Sequence, residues 1–110
     1  MSALVMADHR EAARGLDELF CSRRFAGLAA PDVRVSSQST GCIDLSFHSE
    51  TSTYADFEAW REALNIDPEK VERRTWDATQ CLEAEGTLYG TRIRLQAYGP
   101  LLAVAARAAA

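Results

Sequence analysis

Asp44, Ser46 and His48 are the residues whose types most invite a catalytic reading: an acid, a hydroxyl and an imidazole at alternate positions. In an extended segment alternate side chains share a face, so all three point the same way. Nucleophilic catalysis needs the base within about 3 Å of both partners. Alternate residues on a strand stand roughly 6.5 to 7 Å apart, which puts Asp44 about 13 Å from His48. A single strand cannot supply a triad, and the three are read as polar residues on a wet sheet face.

Metal chemistry fares no better. Cys42 shares the face of His48 but lies roughly 20 Å from it along the strand. Zinc ligands converge at about 2.0 to 2.3 Å. Cys81 joins either residue only if its strand lies beside theirs, and His9 falls at a helix start. Among the carboxylates Asp44, Glu83 and Glu85, none sits in an apolar run that would raise its pKa, and Glu85 has an arginine opposite it. The glycines form no GxGxxG, GxxxxGK[ST] or GxSxG pattern. The expectation is a protein that is not an enzyme, with no metal and no cofactor.

The aromatic residues lead elsewhere. In the segment 71–76, Val71, Arg73 and Thr75 share one face and Glu72, Arg74 and Trp76 the other. Neither face is apolar, which predicts an edge strand or one twisted away from the sheet. A Trp beside Arg74, with Tyr98 and Arg92 or Arg94 near it, has the aromatic-plus-arginine makeup of interaction hot spots. Arg74, Trp76, Arg92, Arg94 and Tyr98 are therefore the candidates for protein contact. Ser46 and His48 are the candidates for a ligand.

These residues need elements to hold them. A helix is predicted over 8–28, with Asp8 as N-cap, Glu11 completing a capping box, and Leu16, Leu19 and Phe20 as its apolar stripe. Gly27 or Pro31 ends it, and Gly15 weakens its middle by about 1 kcal/mol relative to alanine. A hairpin follows. A three-residue loop, Ser39-Thr40-Gly41, pairs Val35 with Leu45 and Val33 with Phe47, and puts Gly41 at a left-handed position. A second helix begins at Ser52 or Thr53 and carries Tyr54, Phe57, Trp60 and Leu64 on one stripe; Asn65 and Pro68 stop it. After the 71–76 strand, 80–88 and 91–98 form a hairpin about Tyr89-Gly90. Leu82 then faces Ala97, Ala84 faces Leu95 and Gly86 faces Ile93, while Glu85 meets Arg94 on the other side.

The order α-β-β-α-β-β-β over residues 1–110 predicts one α+β domain. It is a two-layer sandwich with an antiparallel sheet of about five strands and two helices on one face. Residues 1–7 and 101–110 are tails. The net charge of −4 opposes binding that relies on phosphate contacts. Three widely spaced cysteines, with no CxxC and no leader-like start, suit buried thiols in a cytoplasmic protein. The leading expectation is a self-associating interaction or assembly module, a homodimer. The alternatives are a small-molecule binder or small enzyme with a pocket between helices and sheet, and a nucleic-acid-associated regulator using sheet-face arginines. No membrane association is expected.

Overall fold

A computed structural model describes residues 4–36, 40–48 and 53–101. The elements are α1 (Arg10–Cys21), β1 (Asp32–Val35), β2 (Cys42–Phe47), α2 (Thr53–Ala63), β3 (Glu72–Trp76), β4 (Thr79–Leu88) and β5 (Thr91–Pro100). Two short 3-10 turns, Met6–His9 and Pro68–Lys70, precede α1 and β3. The fold is α+β, with both helices packed on a five-stranded sheet in the order β1-β2-β5-β4-β3.

The sheet is not wholly antiparallel. β2 and β5 run parallel at its centre, with Ile43 beside Ile93, Leu45 beside Leu95 and Phe47 beside Ala97. Turn chemistry fixes which strands form hairpins but leaves open how two hairpins join. Here burial decides: these strands carry the most deeply buried apolar residues, so they meet in the middle under the helices. Phe57, Trp60 and Leu64 of α2 and its exit, with Ala12 and Leu19 of α1, close the core above them. Burying a side chain of this size contributes about 1.5–3 kcal/mol.

Helix α1 is shorter than predicted. It ends at Cys21, where Ser22 turns extended (φ −76°, ψ 132°), and the next residues fold under to bury Phe25. The Phe25 ring stacks on Trp60 at 5.3 Å, a contact a continued helix would forfeit. Asp8 is not the N-cap; its carboxylate accepts from the Val5 N–H at 2.8 Å and closes the preceding 3-10 turn. Phe20 is 70% exposed, because Ala12, Gly15 and Leu19 form the buried stripe. Gly15 is there for proximity. A Cβ at that position would lie 2.8 Å from the Thr91 side chain, whose hydroxyl donates to the Glu11 carbonyl at 3.0 Å.

The first hairpin keeps its predicted faces but not its register. Val35 lies opposite Ile43 and Val33 opposite Leu45, two residues from expectation. A slip of two preserves every facing, so burial alone could not detect it. The Ser36 N–H bonds to the Cys42 carbonyl at 3.0 Å, which extends the same register by one pair. Ser39 of the expected loop lies outside the described residues; Gly41 is left-handed as expected (φ 68°). Its carbonyl accepts from Arg92 N–H at 2.8 Å, so β5 fixes where β2 begins.

The remaining elements follow the sequence closely. Phe57, Trp60 and Leu64 are buried, Asn65 is left-handed (φ 57°), and Thr53 is the first helical residue; Ser52 is outside the described residues. The second hairpin has every predicted pair, with Tyr89 (φ 50°) and Gly90 (φ 83°) as a two-residue turn. β3 is an edge strand, as predicted.

Candidate functional site

The helices cover one face of the sheet, and register dictates what the other face displays. Each row across the strands holds one residue per strand. The row nearest the Tyr89 turn runs Cys42, Arg92, Thr87. Next come Arg34, Asp44, Arg94 and Glu85, alternating in charge. Then Asp32, Ser46, Gln96, Glu83 and Glu72; beyond these lie Tyr98, Cys81 and Arg74, and last Pro100, Thr79 and Trp76. His48 extends β2 beside Tyr98, and their rings stack at 5.0 Å.

Electrostatics ties these rows together. The Arg94 guanidinium lies 3.1 Å from Asp44 and 3.8 Å from Glu83. Arg74 lies 3.3 Å from Glu83 and 3.9 Å from Glu72. Glu72 and Glu83 face each other directly across β3 and β4, so Arg74 offsets a like-charge pair. Burial pushes both the Cys81 thiol and the Tyr98 phenol above their usual pKa values, leaving them neutral hydrogen-bonding groups. A thiol raised in this way is a poor nucleophile.

Ser46 and His48 come closer than strand spacing suggested. The Ser46 hydroxyl is 3.2 Å from His48 Nε2, because the side chains lean along the strand. Asp32, which sequence reasoning passed over, lies 3.9 Å from the same nitrogen. A catalytic relay requires the hydroxyl and the acid on different ring nitrogens. Both address Nε2 here, and Asp44 is held by Arg94, so the arrangement is not a triad. A depression of about 440 Å³ lined by Asp32, Ser46, His48 and Tyr98 lies on this open face, while the cleft between helices and sheet, about 220 Å³, is lined by apolar residues such as Leu19, Phe25, Leu45 and Trp60 and holds neither Ser46 nor His48. Among the described residues no group of three His, Cys, Asp or Glu is placed to hold a metal. β5 separates Cys81 from the strand of Cys42 and His48.

The five contact candidates do not form one patch. Arg74 and Trp76 are together on β3, and Tyr98 shares Arg74's row two strands away. Arg92 and Arg94 point to the same face nearer the opposite end; Arg92 lies about 20 Å from Tyr98 along β5. Trp76 is 48% exposed.

The β3 edge itself is a feature that side-chain chemistry alone does not convey. Asp77 (φ 52°) opens a two-residue turn bracketed by Trp76 and Thr79, which makes that pair hydrogen-bonded. Alternation then assigns Arg74 and Glu72 to β4 and turns the N–H and C=O of Arg73 and Thr75 outward. The far side of β4 agrees, since Leu88 and Thr91 bracket the next turn and give the even residues of β4 to β5. All five residues of β3 are exposed. No family model, curated protein or solved structure matches the chain. No helix among the described residues is long and apolar enough to cross a membrane.

Proposed function

We propose that this protein is an interaction and assembly module that acts by strand addition along β3. The observation that carries the reading is the edge itself: a fully exposed strand with two residues whose backbone groups face outward, bearing Arg74 and a half-exposed Trp76. Main-chain hydrogen bonding to such an edge gives affinity, and the flanking side chains give selectivity. The competing edge, β1, is one residue shorter and starts immediately after Pro31, which cannot donate a ladder bond.

The nucleic-acid reading draws little from this face. Asp32, Asp44, Glu72, Glu83 and Glu85 share it with Arg34, Arg74, Arg92 and Arg94, so acids outnumber the guanidiniums a polyanion would need. The depression beside His48 supports ligand binding as a second reading, through polar contacts from Asp32 and Ser46.

Sedimentation equilibrium tests the leading reading. Replacing both Arg74 and Trp76 by alanine is expected to weaken self-association and partner binding. Unchanged association in the double variant would refute it.

A further inference from the structure

We infer that the occupant of the β3 edge is a second copy of this chain, paired antiparallel about a two-fold axis through Arg73. The inference rests on the strand-addition reading and adds the partner and the register. A two-fold perpendicular to the sheet keeps the open faces on one side, giving a continuous ten-stranded sheet. It restricts the symmetric centres on β3 to single residues, of which the three interior ones are Arg73, Arg74 and Thr75.

Ladder bonds and charge separate these three. Centred on Arg73, the two Arg73 residues exchange both backbone bonds, and each Thr75 N–H meets the Val71 carbonyl of the other copy. The Val71 N–H is already bonded to Pro68 at 3.3 Å, and Val71 is extended (φ −74°, ψ 123°), so it offers its carbonyl alone. That register forms four ladder bonds. It also sets Glu72 against Arg74 of the second copy twice, at the closer, non-hydrogen-bonded positions.

Centring on Arg74 also forms four ladder bonds but sets two guanidiniums directly opposite at close range. Centring on Thr75 forms two, because Arg73 would then meet Asp77, whose left-handed backbone leaves the strand. The Arg73 register matches Arg74 in bonds and beats it on charge, and it exceeds Thr75 in bonds. Its like-charge contact, Arg73 with Arg73, lies at the wider hydrogen-bonded position, with both side chains free to splay into solvent.

The unpaired chain shows why this register suits it. Glu72 opposes Glu83 and shares Arg74 with it, and the Arg74 contact to Glu72 is the longer, 3.9 Å against 3.3 Å. Pairing gives each Glu72 a cation of its own. Charges that keep an edge strand from pairing indiscriminately become selective when one register matches them.

Cysteine scanning reads the register. Arg73→Cys, Arg74→Cys and Thr75→Cys are made in a Cys21→Ser background, since Cys21 is exposed while Cys42 and Cys81 are buried. Hydrogen-bonded cross-strand partners have Cα atoms about 5.5 Å apart, within disulfide reach. Under mild oxidation Arg73→Cys is expected to cross-link fastest. Faster cross-linking of Arg74→Cys or Thr75→Cys would overturn the register and leave edge pairing intact. A dimer in which none of the three cross-links would overturn edge pairing between copies. A wild-type chain that stays monomeric would overturn the second copy as occupant, while the strand-addition reading would still answer to its own alanine test. Glu72→Arg supplies an independent check. Turning two opposite-charge contacts into like-charge ones is expected to weaken the dimer about tenfold, and an unchanged dissociation constant would overturn the register.

Discussion

Thr75→Pro separates the edge from the fold that carries it. Thr75 is exposed and its N–H points away from β4, so proline there removes no bond of the existing sheet. Each copy in the dimer loses one donor to the other, two ladder bonds in all. At about 0.5–1.5 kcal/mol net per bond, the loss is about 1–3 kcal/mol, before any obstruction by the ring. That raises the dissociation constant roughly 5- to 150-fold. Urea unfolding at low protein concentration, where both proteins are monomeric, is expected to show little change in stability. Arg74→Pro is the contrast: it removes a donor to Cys81 and should destabilise the monomer itself. Sedimentation velocity over a concentration series reports association. A Thr75→Pro chain that associates like wild type would refute pairing through the Thr75 N–H.

Three further outcomes follow from the packing. Gly15→Ala, favourable by helix propensity alone, is expected to destabilise by about 1–3 kcal/mol, because the new methyl meets Thr91 at 2.8 Å; thermal unfolding checks the sign. Tyr89→Asn is expected to stabilise by a few tenths to about 1 kcal/mol, since asparagine tolerates the φ of 50° better and the tyrosine side chain is exposed; denaturant titration measures it. Hydrogen bonding from Arg61 holds the Glu58 carboxyl below its usual range. The pair's contribution is therefore present above the unfolded pKa of about 4.3 and lost as pH falls through the lowered folded value. Glu58→Gln should narrow the difference in stability between pH 7 and pH 3, and an equal difference in both proteins would contradict the assignment.

What the sequence revealed and what it hid have physical causes. The second hairpin was legible because two constraints agree: apolar partners on one face, and Glu85 opposite Arg94 on the other. α2 was legible because its stripe, Asn65 and Pro68 all mark the same span. The first hairpin had only its faces, which a two-residue slip leaves unchanged, so its register depended on Gly41 meeting Arg92 on a distant strand. The end of α1 was hidden for the same reason, since it follows from Phe25 reaching Trp60. The parallel β2–β5 pair is a product of burial across the whole sheet.

At the candidate site, the edge character of β3 was readable from its lack of an apolar face. Asp32 was missed because it precedes the first apolar residue of β1, and only its place opposite Ser46 brings it near His48. Arg92 and Arg94 looked like companions of Trp76 by residue type, but strand length carries them toward the other end of the face.

Amide hydrogen exchange of β3, followed against protein concentration, reads pairing at this edge residue by residue. In the free chain the Arg73 and Thr75 amides face water, while Arg74 and Trp76 donate to β4. Edge pairing predicts that Arg73 and Thr75 exchange quickly at low concentration and slow markedly as concentration rises, with Arg74 and Trp76 protected throughout. Arg73 and Thr75 amides that exchange at the same fast rate in the associated protein would contradict it.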